Sequence, residues 1–201
     1  MTGIVPSGTG RLVLRGAIGF ACGLAVWTAL AAPYEKAVAA TAETILRIAE
    51  RPPVTRLVAR MGEIVIERSD FPPAAPRPGL PADDLHFNFV ILAALLFLFP
   101  PFRPGRALIA GAILFGVHVV ALCCQVEALY ATRLGAWSEV HYGAFARNAW
   151  AATFHAYQIA GRFAAPFAIW WPLGGFERAQ DKARDRPSRP WKSKRKRSGR
   201  R

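Results

Sequence analysis

The chain has 201 residues, a net charge of +13 and 53% hydrophobic residues. Its mean hydropathy is +0.21. A soluble helical domain interleaves charge with apolar residues, one face against the other. Here the two are separated along the sequence, which excludes an ordinary soluble helical domain. What the pattern predicts is an all-α membrane protein with about four transmembrane helices and a small extracytoplasmic helix plus β-hairpin.

Residues 1–11 are read as a cytoplasmic N-terminus and 12–33 as the first transmembrane helix, since Gly16 to Tyr34 carries no charge and a bilayer core needs about 20 apolar residues as helix. Arg11 and Arg15 before the apolar run, with Ala29-Leu30-Ala31 inside it, also resemble a cleaved signal peptide. The run exceeds a usual signal core and Pro33 follows closely, so a retained anchor is the expectation. Gly16, Gly19 and Gly23 lie on one side of this helix and form a candidate packing face.

Residues 34–85 are placed outside the membrane. Val38, Ala42, Ile45, Leu46 and Ala49 have helical spacing, so Tyr34 to Glu50 reads as an amphipathic helix, either lying on the membrane or extending the first helix. Pro52 and Pro53 end it. Val54–Arg60 and Glu63–Arg68 read as a hairpin about Met61-Gly62, because Ile64, Val65 and Ile66 favour strand and Gly62 permits a tight turn. Phe71 to Pro81 reads as a proline-rich linker.

The uncharged run Leu85–Phe102 gives a second span at 86–102, and Ala107–Val126 gives a third at 107–126. A short extracytoplasmic loop at 127–147 leads to a fourth span at 148–173, interrupted by Arg162. Lys and Arg collect on the cytoplasmic side of membrane proteins. An inside N-terminus puts Arg11, Arg15, Arg103, Arg106 and the twelve basic residues of the tail at 177–201 on one side. The expected location is therefore the cytoplasmic (inner) membrane, multi-pass, with both termini cytoplasmic. The tail is expected to pair with anionic lipid headgroups. Without zinc spacing or an aromatic RNA-binding motif, it implies no specific nucleic acid.

Polar side chains in a bilayer cost free energy unless paired or hydrated, so they mark candidate sites. His155, Gln158 and Arg162 are spaced i, i+3 and i+7 on the fourth span. His118 lies mid-way along the third span, with Cys123, Cys124 and Gln125 towards its outer end and Glu127 at its boundary. His86 and Asn88 open the second. Antiparallel order brings His86, Asn88, His118, Glu127, His155, Gln158 and Arg162 into the outer half, as a polar intramembrane cluster.

Adjacent Cys123 and Cys124 point to different faces and suit neither a disulfide nor a metal clip. No metal and no cofactor is expected. A thiol peptidase or transpeptidase would need a Cys, a His and a cation for the oxyanion, residue types that Cys123 or Cys124, His155 and Arg162 supply without a local catalytic signature. A transporter subunit built on the polar stripe of the fourth span is a further alternative.

The anchor, the outside hairpin, the segment Leu80 to Pro101 and a last helix containing Tyr157-Gln158, Pro166 and Trp170-Trp171 together resemble the small membrane proteins associated with exosortases, in particular the exosortase H-associated type. The resemblance implies a non-enzymatic accessory subunit of a membrane protein-sorting or cell-envelope system, with a membrane protein partner of the exosortase type. Neither Cys123 nor Cys124 has the Cys-small-Gly setting of the exosortase nucleophile, so no catalytic residue carries over.

Overall fold

A computed structural model describes residues 8–60, 62–71, 77–82, 87–98 and 103–175. The tail at 177–201 and His86 lie outside these residues. The described chain is mostly helical with one small sheet: α1 (Gly8–Ala49), β1 (Thr55–Arg60), β2 (Glu63–Arg68), β3 (Gly79–Pro81), α2 (Asn88–Leu98), α3 (Pro104–Thr132), α4 (Ala136–His141), α5 (Ala144–Ala156) and α6 (Arg162–Trp170). A π-helical turn, Tyr157–Gly161, joins α5 to α6, and a second, Trp171–Gly175, follows α6.

Two helices, α1 and α3, are long and apolar enough to cross a membrane. Both leave large apolar side chains uncovered, including Val13, Leu14, Ile18 and Leu30 on α1 and Leu108, Ile109 and Val120 on α3. Soluble monomers rarely expose contiguous apolar faces of this kind.

α1 is one helix of 42 residues with Pro33 inside it, about 63 Å long at 1.5 Å per residue. The amphipathic segment thus extends the first helix rather than lying on a membrane. Proline removes its own N–H bond and its ring crowds the carbonyl four residues back, but the helix beyond it is held from outside: Val38, Ala42 and Leu46 are buried against the sheet and α3. The helix stops at Ala49, ahead of Pro52 and Pro53, where the residue before a proline is pushed out of helical geometry.

The predicted hairpin is a three-stranded antiparallel sheet of order β1-β2-β3. Arg60 pairs with Glu63 and Thr55 with Arg68. Gly62, at φ 81°, takes the left-handed conformation of the turn between β1 and β2. The third strand comes from the proline-rich linker: Leu80 pairs with Ile64 and Gly79 with Val65. Prolines are tolerated there because β3 is an edge strand with one side free of ladder bonds. The ladder is extended by Ile66 N–H to Pro78 O (2.8 Å) and Ala82 N–H to Gly62 O (2.7 Å).

The other edge, β1, is closed by helix carboxylates. Glu50 on α1's end accepts the N–H groups of Val54 (3.3 Å) and Thr55 (3.0 Å), and Glu43, two turns earlier, accepts Leu57 N–H at 2.9 Å. Edge strands left open invite pairing with other chains, and these two glutamates occupy the Thr55 and Leu57 donors that such pairing would use. Leu57, Ile64, Ile66 and Leu80 then face Leu122, Val126, Leu129 and Tyr130 of α3 in one apolar cluster. Each such fully buried side chain contributes about 1.5–3 kcal/mol.

A second apolar cluster of Leu92, Ala110, Leu114 and Ile169 joins α2, α3 and α6 at the opposite end. There α2 lies in the glycine groove of α1. A Cβ added at Gly19 would stand 2.6 Å from Phe97 Cβ, and one at Gly23 would stand 2.7 Å from Ala93 Cβ. Arg106 donates to Leu173 O at 3.1 Å, tying the start of α3 to the π-helical turn at Trp171–Gly175.

Two boundaries differ from the sequence reading. The loop at 127–147 is largely helical: α3 runs on to Thr132, and α4 follows after one tight turn. Ser138 holds that turn, donating to Tyr130 O (2.7 Å) and accepting Leu134 N–H (3.0 Å). The last helical stretch starts at Ala144 rather than 148, and its π-helical turn shifts the faces that a uniform 3.6-residue period predicts.

Candidate functional site

Between the two apolar clusters lies a polar node built from different helices. The Tyr34 hydroxyl on α1 is 2.6 Å from His118 Nδ1 on α3, and His118 Nε2 is 2.6 Å from Asn88 Oδ1 at the start of α2. An amide oxygen only accepts, so Nε2 carries the proton and Nδ1 accepts the tyrosine O–H. The neutral imidazole thus satisfies both bonds. His118 is fully buried and Asn88 is 2% exposed, where unmade bonds would cost about 1–3 kcal/mol each. Edge-on packing of Tyr34 against Phe115 and against the His118 ring completes the seat.

The last helix reaches the node through Tyr157, the first residue of the π-helical turn. Its buried hydroxyl interacts with the Asn88 side chain, short of full hydrogen-bond geometry. Gly161 makes room for the ring: a Cβ there would stand 2.8 Å from Tyr157 Cδ2. One turn on, Arg162 Nη1 donates to Gln158 Oε1 at 3.3 Å and lies 5.5 Å from the Phe163 ring centroid.

The remaining predicted residues go elsewhere. Glu127 accepts the Tyr142 hydroxyl at 2.8 Å. His155 is exposed and lines a hollow of about 150 Å³ between α3 and α5, together with Gln125, Leu129, Arg133 and Phe154. Cys123 directs its thiol to Ala42 O on α1 at 3.8 Å. Among the described residues neither Cys123 nor Cys124 has an imidazole partner, so the Cys–His–Arg constellation does not assemble. Nor do three His, Cys, Asp or Glu side chains among them converge as metal ligands.

The sequence reading missed Tyr34 and Tyr157, whose lone hydroxyls on apolar helices were the available signal. It also missed a second polar centre at the sheet. Arg68 makes ion pairs with Glu50 (3.2 Å) and Asp70 (2.8 Å), and its side chain is only 10% exposed. Its guanidinium stands over the rings of Tyr130 (4.8 Å), Trp137 (5.1 Å) and Phe71 (5.6 Å). The Thr55 hydroxyl bonds both Glu50 and, at 2.8 Å, the Tyr130 hydroxyl. The Arg68 guanidinium holds the Asp70 carboxyl below the ordinary aspartate range, against the smaller opposing effect of burial.

Comparison with known proteins adds no relative: no family model matches the chain, and neither does any curated protein or solved structure.

Proposed function

We propose that this chain is a multi-pass protein of the cytoplasmic membrane, with four spans, both termini cytoplasmic and the β-sheet outside. α1 and α3 supply two spans by length and composition. The helical stretch from Ala144 to Trp170 is continuous, about 40 Å long at 1.5 Å per residue. α2, within the uncharged run Leu85–Phe102, completes the set. The excess of basic residues at both termini and at Arg103 and Arg106 supports the orientation.

Within that membrane we infer a non-enzymatic accessory subunit of a protein-sorting or envelope system of the exosortase type. One observation carries the non-enzymatic part: Tyr34, His118 and Asn88 bond one another across helices, while among the described residues neither Cys123 nor Cys124 is paired with an imidazole. That arrangement supports a rigid scaffold rather than a reaction centre. The exosortase partner rests on the resemblance of hairpin, spans and Trp170-Trp171.

The test is affinity recovery of the tagged chain from native membranes in mild detergent, read by mass spectrometry. Stoichiometric recovery of an exosortase-type enzyme is expected, unchanged in a Cys123→Ala/Cys124→Ala variant. Recovery of the chain alone, with normal sorting in a deletion strain, would refute the accessory role.

A further inference from the structure

The strongest unassigned feature is a hollow of about 420 Å³ at the end of the sheet, lined by Arg47, Arg56, Arg68, Arg77 and Glu67, with Pro53, Val54 and Phe71 as its apolar wall. Four guanidinium groups and one carboxylate line it, with Glu43, Glu50 and Asp70 paired to Arg47 and Arg68 just behind the lining. We propose that this hollow is a binding site for a carboxylate-rich polypeptide segment.

The guanidiniums are not equivalent. Arg68 is held by Glu50 and Asp70 and forms the floor. Arg47 and Arg77 stand at the rim on exposed side chains, paired with Glu43 at 3.5 Å and Glu67 at 2.6 Å. Arg56 faces Glu67 in the strand register, yet Glu67 bonds Arg77 and Arg60 instead. Among the described residues Arg56 therefore has no acidic partner. Exposed ion pairs are worth about 0–1 kcal/mol, so the rim arginines exchange partners at little cost. Forked guanidiniums suit planar carboxylates in particular.

Size and lining select a peptide over a simple ion. The space is many times the ~30 Å³ share of one water, so a lone oxyanion leaves most of it empty. Phe71, Pro53 and Val54 offer contact to a carbon skeleton, which inorganic phosphates lack. A lipid headgroup is excluded by height: Arg47 lies about 21 Å beyond Pro33 along α1, whereas the headgroup zone is only about 5–8 Å deep. The height argument rests on α1 crossing the bilayer. The peptide site itself does not rest on the accessory role.

The closing experiment uses the full chain in an uncharged maltoside detergent and an acetylated hexa-aspartate peptide bearing a photo-crosslinker, with adducts mapped by mass spectrometry. Adducts are expected at residues 53–56 and 69–71, falling about tenfold or more in an Arg56→Gln/Arg77→Gln variant and likewise reduced in Arg47→Gln. All three side chains are exposed, and an unchanged melting temperature certifies the fold of each variant. Adducts confined to the basic tail would overturn the proposal. So would adducts in the hollow unaffected by these variants, or adducts displaced by inorganic triphosphate more strongly than by unlabelled hexa-aspartate. A failed partner recovery, by contrast, leaves this result standing, so the two readings fail separately.

Discussion

Glu43 on α1 accepts the backbone N–H of Leu57 on β1 at 2.9 Å. With Glu50 seven residues on, it fastens an edge strand to a helix that is long and apolar enough to cross a membrane. Glu50→Ala removes the acceptor of Thr55 N–H and one of the two carboxylates paired with Arg68, at an expected cost of about 1–3 kcal/mol. Glu43→Ala should cost about 1–2 kcal/mol. Melting of both variants in one detergent measures this, and a Glu50→Ala protein as stable as the parent would contradict the clamp.

The Tyr34–His118 bond should behave as an interhelical coupling. A double-mutant cycle of Tyr34→Phe and His118→Ala, read by unfolding in mixed micelles, is expected to give about 0.6–2 kcal/mol. A coupling of zero would mean that the two groups do not depend on each other.

Glycine packing distinguishes α1 from α3. Gly19→Ala drives a methyl to 2.6 Å from Phe97 Cβ, while Gly116→Ala meets nothing within 4 Å. The first should destabilise by about 1–3 kcal/mol, and the second should stay within about 0.5 kcal/mol of the parent. Thermal midpoints of the two variants decide it, and equal midpoints would rule out a tight α1–α2 contact.

Acid should loosen the sheet. Because Arg68 depresses the folded-state pKa of Asp70, the unfolded chain binds that proton first. The contribution is therefore complete above the ordinary aspartate value of about 3.9 and lost as pH falls through the depressed folded value. Asp70→Asn should flatten that part of the stability profile below about pH 4. A profile identical to the parent's would show that the pair contributes nothing.

Topology reporters give the simplest test of the membrane reading. A reporter inserted at Gly62 should be extracytoplasmic, and one fused after Arg201 cytoplasmic. Reporters on one side would remove the four-span arrangement.

Much of the local structure was legible in sequence because its causes are local. The stop at Pro52-Pro53, the turn at Gly62 and the strand preference of Ile64 to Ile66 act over a few residues. The uncharged runs likewise announce α1 and α3, since chain length in a bilayer is set by its thickness. Spacing failed at the last described helical stretch, where the π-helical turn at Tyr157–Gly161 breaks the period: His155 is exposed, while Gln158 and Arg162 are half-buried and bond each other.

Polar residues in apolar runs could be named from sequence, but not their partners. Tyr34 meets His118 across 84 residues and His118 meets Asn88 across 30. Such pairings are selected by the packing of whole helices, here by a glycine groove that admits α2 and a sheet that draws α1 onto α3. β3 shows the same limit: Gly79, Leu80 and Pro81, preceded by Pro78, have little strand preference of their own, and they become a strand because Ile64 and Val65 offer them an edge. Composition and hydropathy thus determined which segments are apolar and where charge collects, through forces acting along the chain. Which polar groups meet, and that four arginines line the hollow at the sheet's end, only the tertiary structure decided, because those contacts exist only once distant segments pack.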